Sequence, residues 1–361
     1  MDSLNETRKA INELDREMAD LFCRRMLAVR EIAKFKQERG LPILDAAREA
    51  EVIEKNSLFV DDEEIRDYYI KFIESVMAVS RSYQDRLTSV MKIAYCGTEG
   101  AFAHIAAESV FPHARKLAYD DFIGAYRAVE DGIADVAVLP IENSYNGEVS
   151  QVTDLMFSGS LYINSVFELA VTHDLLATPG ATLDSIKEVI SHPQALAQCA
   201  EFLRDHNLKT RDYSNTALAA KLVAESKNPT VAAIASEEAA KIFGLSVLER
   251  NINSSRQNTT RFAIFSRVQN SHRAEKMGVH SIFLFTVPDK AGALAKAIDI
   301  IGKHGFNMIS LRSRPMKELL WRYYFYVETE GNIYSDEGQA MLTELREHCH
   351  KLNAVGTYKK D

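Results

Sequence analysis

The rhythm of apolar positions changes along this chain from a helical to a strand-like period. Leu4, Ile11, Met18 and Ile32 recur at multiples of seven, with Leu14, Leu21, Ala28 and Phe35 at the companion positions. Such a heptad seam predicts a long helix packed lengthwise on others. Residues 1–90 carry almost no glycine and read as helices throughout. From Met91 onward the short β-like runs Lys92–Cys96, Val136–Pro140, Glu188–Ser191 and Val231–Ala235 alternate with helical stretches, which predicts α/β layering. A polar stretch, Gln269–Met277, separates these from a third pattern.

That third pattern predicts strands at His280–Val287, Met308–Arg312, Trp321–Glu328 and Ala354–Lys359, with helices at Gly292–His304 and Ser335–Cys349. The order βαββαβ is that of a small ferredoxin-like domain. The chain therefore reads as three domains, residues 1–90, 91–268 and 279–361, without a solenoid repeat or low-complexity tract. A length of 361 residues agrees with more than one core.

One residue breaks the heptad seam. Arg25 takes the position between Met18 and Ile32, where a charge must find a buried partner or a ligand. Lys36 lies three turns beyond, on nearly the same face. Arg8 points about 100° away from Arg25 and lies about 42 Å from Lys36 along a continuous helix. If Arg8 and Lys36 both serve one kind of site, the helix must span two equivalent sites in a symmetric dimer. Asp45, Arg48 and Glu49 form a further polar cluster at helical spacing, as do Ser80 and Gln84. Each of these alone reads first as a solvated helix face.

Composition narrows the class. Hydrophobic residues at 46% and charged residues at 26% are the balance of a soluble globular protein. A net charge of -8 without a Lys/Arg block argues against a nucleic-acid partner. Cys23, Cys96, Cys199 and Cys349 are scattered without a CxxC pair, so neither a zinc site nor a disulfide framework is expected. No apolar run reaches the ~20 residues of a membrane span, and no signal peptide precedes the first helix. A cytoplasmic protein without membrane partners is the expectation.

Taken together, Arg8, Arg25, Lys36, Asp45, Arg48, Glu49, Ser80 and Gln84 resemble the active-site complement of the all-helical chorismate mutases. In that family the dimer is intertwined, and the first helix lends its early arginine to the partner's site. The resemblance implies that Arg8, Arg25 and Arg48 clamp the two carboxylates of chorismate, that Lys36 and Gln84 face its ether oxygen, and that Glu49 accepts from its hydroxyl. A pericyclic rearrangement needs no nucleophile, metal or cofactor, only a frozen geometry and fixed donors.

The middle region carries four polar motifs. Gly97–His104 is a glycine turn feeding a helix N-terminus, which offers free N–H groups to an anion. It lacks the dinucleotide GxGxxG pattern, so no nicotinamide cofactor is expected. His104 in it reads first as structural. Pro140–Ser144 and Ser191–Gln194 end apolar strands with polar groups, where open α/β sheets bind ligands. Arg256–Phe262 is a polar cluster leading into a predicted strand at Phe262–Ser266.

In order and spacing these motifs resemble prephenate dehydratase, Thr260-Arg261-Phe262 being the most diagnostic triplet. The resemblance implies two α/β lobes like those of periplasmic binding proteins, with substrate between them. It implies that Thr260 is the donor at the departing hydroxyl and that Asn143, Gln194 and Arg261 position prephenate. Glu142, Ser144 and Phe262 complete the expected site, and Glu142 is a candidate relay because an alcohol is a weak acid.

The last region resembles an ACT domain, an amino-acid-sensing fold. Gly292-Ala293-Leu294 matches one of that family's effector motifs. The other reads Arg312-Ser313-Arg314-Pro315, with arginine where the family has glutamate. The resemblance implies feedback inhibition by phenylalanine bound between paired domains, in a homodimer or homotetramer. The leading reading is thus a bifunctional mutase–dehydratase. A dehydratase with a purely dimerising helical module and a two-lobed binding protein are the alternatives, the first opposed by Arg25 and the second by the Thr-Arg-Phe triplet.

Overall fold

The computed structural model describes residues 2–39, 41–42, 44–88, 90–255, 257–269, 278–316 and 322–359. They fall into two compact units, Met1–Met91 and Lys92–Asp361. Most of the expected linker Gln269–Met277, together with Arg256 and Trp321, lies outside the described residues.

The first unit is three helices, α1 (Asp2–Glu38), α2 (Ala46–Ser57) and α3 (Glu63–Thr88). Asp45 starts α2 by accepting the Arg48 N–H at 3.0 Å, and Asp62 starts α3 by accepting from Glu64 at 2.9 Å. Acidic first turns in α2 and α3 and basic last turns in all three helices suit the helix dipoles. The face of α1 that meets α3 is Arg25, Val29, Ala33 and Lys36, with Val29 and Ala33 fully buried. The heptad seam was expected to pack on neighbouring helices, and within one chain it does not. Leu4, Ile11, Leu14, Met18, Leu21, Ile32 and Phe35 remain 48% to 62% exposed, because the stripe used by α3 is offset from them.

The second unit begins with a lobe around one sheet. Its elements are β1 (Lys92–Cys96), α4 (Phe102–Val110), β2 (Arg115–Tyr119), α5 (Phe122–Glu130), β3 (Val136–Asn143), β4 (Gly147–Glu148), α6 (Ser150–Ser158) and β5 (Tyr162–Ala170). A second lobe follows, comprising β6 (Asp174–Ala177), β7 (Glu188–Ser191), α7 (Pro193–Gln198), α8 (Ala200–Asp205), β8 (Lys209–Asp212), α9 (Thr216–Ser226), β9 (Val231–Ala235), α10 (Glu237–Phe243) and β10 (Ser246–Glu249). The chain then returns to the first lobe as β11 (Thr259–Ser266). The first sheet has the order β2-β1-β3-β11-β5 and the second β10-β6-β9-β7-β8. Two crossings therefore join the lobes, one after β5 and one before β11.

The third predicted module is not a separate body. Its elements, β12 (Val279–Thr286), α11 (Ala293–Lys303), β13 (Met308–Pro315), β14 (Tyr323–Glu330), α12 (Asp336–His348) and β15 (Lys351–Lys359), have the expected βαββαβ order. Helices α11 and α12 cover one face of its sheet through Phe283, Phe285 and Val327. The other face, carrying Ile282, Leu284, Tyr324, Tyr326 and Tyr358, shares one apolar core with Ala263 and Phe265 of β11. Strand β15 passes so close to β5 that a Cβ on Gly356 would clash with the Ile163 carbonyl oxygen. The first sheet is thus sandwiched, with α4 on one face and the C-terminal sheet on the other.

Candidate active sites

In the helical unit, Arg25 is the centre. Its guanidinium donates to the hydroxyl of Ser80, and the same hydroxyl donates to the Val76 carbonyl at 2.6 Å. No carboxylate among the described residues pairs with Arg25, and burial pushes its pKa down. A half-buried cation without a carboxylate partner favours binding an anion. Gln84 is buried one turn beyond Ser80 on α3, and Lys36 lies three turns beyond Arg25 on the same stripe of α1. Glu49 pairs with Arg81, which places it beside Ser80 on α3.

The remaining predicted groups are placed otherwise. Asp45 is the N-cap of α2, and Arg48 is exposed, holding Glu51 at 2.6 Å. Arg8 is exposed near the far end of the unbroken α1, about 42 Å from Lys36 at the helical rise. One chain therefore assembles Arg25, Lys36, Ser80 and Gln84 along one helix pair and leaves Arg8 remote.

Between the two α/β lobes lies a cavity of about 460 Å³. Strand β11 begins three residues earlier than expected, at Thr259, so Thr260 and Arg261 lie within the pleat and point to opposite faces. Thr260 and Phe262 line the cavity with Asn143 and Gln194. Asn143 donates to Thr260 Oγ1 at 2.9 Å and to Asn258 Oδ1 at 2.8 Å. The Asn143 carbonyl accepts the N–H groups of Tyr145 and Asn146 at 3.0 Å, which fixes the amide's orientation. Because Thr260 Oγ1 accepts from Asn143, its own proton remains to be donated.

The polar chain runs deeper. Asn258 donates to Gln198 Oε1 at 3.0 Å, and the same oxygen lies 2.9 Å from His173 Nε2. An oxygen cannot donate, so His173 carries its proton on Nε2. All three residues are buried, and burial lowers the His173 pKa, against which its bond to Gln198 works. Sequence reasoning missed them as site residues. Asn258 sat inside the quoted cluster, Gln198 lies one helical turn after Gln194, and His173 followed an apolar strand without any motif.

Arg261 does not face the substrate cavity, contrary to the expectation. It donates to both oxygens of Glu328 on β14, at 2.7 and 3.1 Å, to Glu142 at 3.0 Å, and to Tyr358. Glu142 follows the same face of the sheet, since it registers with Arg261, and its other oxygen takes Arg312. Ser144 is also turned away, bridging the Gln257 carbonyl and the Thr259 N–H. Burial alone would raise the Glu328 carboxyl, but the bonds and charge of Arg261, with the Tyr358 and Tyr326 hydroxyls, hold it at about 2.

Of the predicted effector motifs, Gly292 caps α11 with a left-handed φ of 82°, and Leu294 lines a second cavity of about 540 Å³ with Phe325 and His350. Arg312 and Arg314 are elsewhere, because alternate residues of β13 face the first lobe. Arg312 pairs with Glu142 and Glu148, and Arg314 with Glu148 at 2.8 Å and Asp154 at 3.2 Å. Ser313 and Pro315 point outward. Within one chain the two motifs do not share a cavity.

Comparison with known proteins agrees with this division. Residues 7–85 match the model of chorismate mutase type II, and residues 93–270 that of prephenate dehydratase. A bifunctional chorismate mutase/prephenate dehydratase of Escherichia coli K12 is 31% identical over 98% of this chain and 95% of its own. Prephenate dehydratase of Arthrobacter aurescens, solved with L-Phe, aligns with TM-score 0.69 and 28% identity over 75% of this chain and 90% of that one. GqqA, described as a novel type of quorum-quenching acylase, aligns with TM-score 0.69 and 31% identity over 75% of this chain and 98% of that one.

Proposed function

The chain belongs to the bifunctional chorismate mutase/prephenate dehydratase family, and from that premise we propose which of its residues perform each step. It rearranges chorismate to prephenate and converts prephenate to phenylpyruvate, CO2 and water. For the mutase, Arg25 takes a substrate carboxylate, and Lys36 and Gln84 supply the fixed donors at the ether oxygen. Their support is the unpaired charge of Arg25 beside Ser80. Arg8 serves the second site of a homodimer, a reading supported by its remoteness and by the open heptad seam.

For the dehydratase, the carrying observation is the bond from Asn143 to Thr260. As the ring C–CO2 bond breaks, its electron pair enters the ring and expels the C4 hydroxyl, which leaves as water on gaining a proton. Thr260 donates its hydrogen bond to that departing oxygen, held in place by Asn143. Aromatisation drives the step, so a weak acid in a fixed position suffices. Glu142 and Arg261 belong to the sheet's other face and hold the strand that carries Thr260.

The C-terminal module is an ACT-type sensor in this reading, and phenylalanine is its effector, as the L-Phe complex of a relative favours. A cytoplasmic location follows from the role in amino-acid synthesis. The test is direct. Purified protein given chorismate should form phenylpyruvate, with phenylalanine slowing the second step; a rate unaffected by millimolar phenylalanine would remove the sensor.

A further inference from the structure

Among the described residues lining the dehydratase cavity there is no lysine or arginine. The substrate nevertheless carries two carboxylates, and Arg261 is committed to the opposite face of the sheet. What this described lining offers an anion is hydrogen-bond donors and backbone dipoles, and its one carboxylate is that of Asp120. Five helices start at this cavity, and three are closed by their own side chains. Asp121 accepts from Gly124 at the start of α5, His192 from Gln194 at the start of α7, and Asn215 from Leu218 at the start of α9. Helices α4 and α6 have no such cap, their N-caps being Ala101, at φ -69° and ψ 156°, and Val149. Of these two, α4 carries Phe102, against which His173 packs.

The first intrahelical bond of α4 runs from Ile105 to Ala101, so the N–H groups of Phe102, Ala103 and His104 precede the ladder. Ala101, Phe102 and Ala103 line the cavity. A second unsatisfied group lies on the same wall. His173 is 2% exposed, its ring packs edge-on to Phe102 at 5.6 Å, and its Nδ1 has no partner. With the proton on Nε2, that nitrogen is an acceptor lacking a donor. Prephenate has one hydrogen-bond donor, its ring hydroxyl, and carboxylates for the free amides. The wall lacks what this substrate offers.

We propose that the uncapped N-terminus of α4, Ala101–His104, holds the pyruvyl carboxylate of prephenate. The inference rests on the dehydratase reading and refines it. Chemistry selects which carboxylate. The ring carboxylate loses its charge as CO2 departs, so donors bound to it would oppose the reaction. The pyruvyl carboxylate keeps its charge throughout and can be held equally in ground and transition states. The ring carboxylate is left to the apolar part of the lining, to which Phe122 and Phe262 contribute.

The test is to occupy the helix end from within. Ala101→Asp and Ala101→Ser supply the missing cap and should raise the melting temperature by about 1–4 °C. Both should raise KM for prephenate, about tenfold or more for Asp and severalfold for Ser, with kcat changed less and mutase kinetics unchanged. A stabilised protein with unaltered prephenate KM would overturn the proposal. Should Ala101→Asp fold poorly, Ala103→Pro removes one of the free N–H groups in a first-turn position that tolerates proline; it too must raise KM, and an unchanged KM refutes the site. Wild-type protein unable to dehydrate prephenate would instead sink the dehydratase reading, and this subsite with it.

Discussion

Replacing Glu328 with Gln should loosen the second unit by an amount the structure sets. The Glu328 side chain is 2% exposed and takes both guanidinium nitrogens of Arg261. Lowering a carboxyl from 4.5 to about 2, at 1.36 kcal/mol per tenfold, corresponds to about 3 kcal/mol. That agrees with the ~3–5 kcal/mol lost when one partner of a buried pair is removed. Glutamine keeps the shape and removes the charge, leaving Arg261 with Glu142. For a unit of this size, about 3 kcal/mol is a fall of roughly 5–10 °C in melting temperature. Because the folded-state pKa is depressed, the stabilisation is complete above the ordinary carboxyl value and is lost as pH falls toward 2. Calorimetry of full-length wild type and Glu328→Gln should therefore show a gap at pH 7 that narrows near pH 3. Equal melting temperatures at pH 7 would refute the role given to this ion pair.

Three other outcomes follow from the same geometry. Arg25→Ala should lower mutase kcat/KM by about 10²–10³-fold, the cost of losing a fixed electrostatic donor, while supplied prephenate is dehydrated at the wild-type rate; spectrophotometric assays of each step check this. Arg312→Glu should set three carboxylates, its own with Glu142 and Glu148, against one another. Hydrogen exchange should then rise in β13 and in the β3–β4 hairpin but not in β8, across the second lobe. His304 bonds Glu337 and Glu344, and those bonds raise its pKa. Its stabilising effect is complete below the ordinary histidine value and is lost as pH rises through the raised one, so melting temperatures of wild type and His304→Gln should converge at alkaline pH.

The sequence was most legible where a pattern has one physical solution. Glu188–Ser191 and Val231–Ala235 are short, apolar and bounded by turns, and they are strands with those limits. Element order in the C-terminal module was equally readable. Its independence was not, because the near-continuous apolar runs of β12 and β14 imply that both faces are covered without showing what covers them. The main error of placement arose at β11. Thr259, Thr260 and Arg261 are polar and lie ahead of the predicted strand, whereas cross-strand bonds to β3 and β5 draw them into the sheet. That shift alone sends Arg261 to the C-terminal module. Asn143 and Thr260 lie far apart in sequence, and their bond depends on the register between β3 and β11. The chain of Asn258, Gln198 and His173 depends on both lobe crossings, which no local pattern encodes.

Two separable reactions in one chain are the central claim. A time course of full-length Thr260→Ala acting on chorismate tests it most directly, with chorismate, prephenate and phenylpyruvate followed together at neutral pH. Chorismate should disappear at the wild-type rate while prephenate accumulates and phenylpyruvate fails to form. Phenylpyruvate appearing at the wild-type rate, or chorismate persisting in the folded variant, would contradict the account.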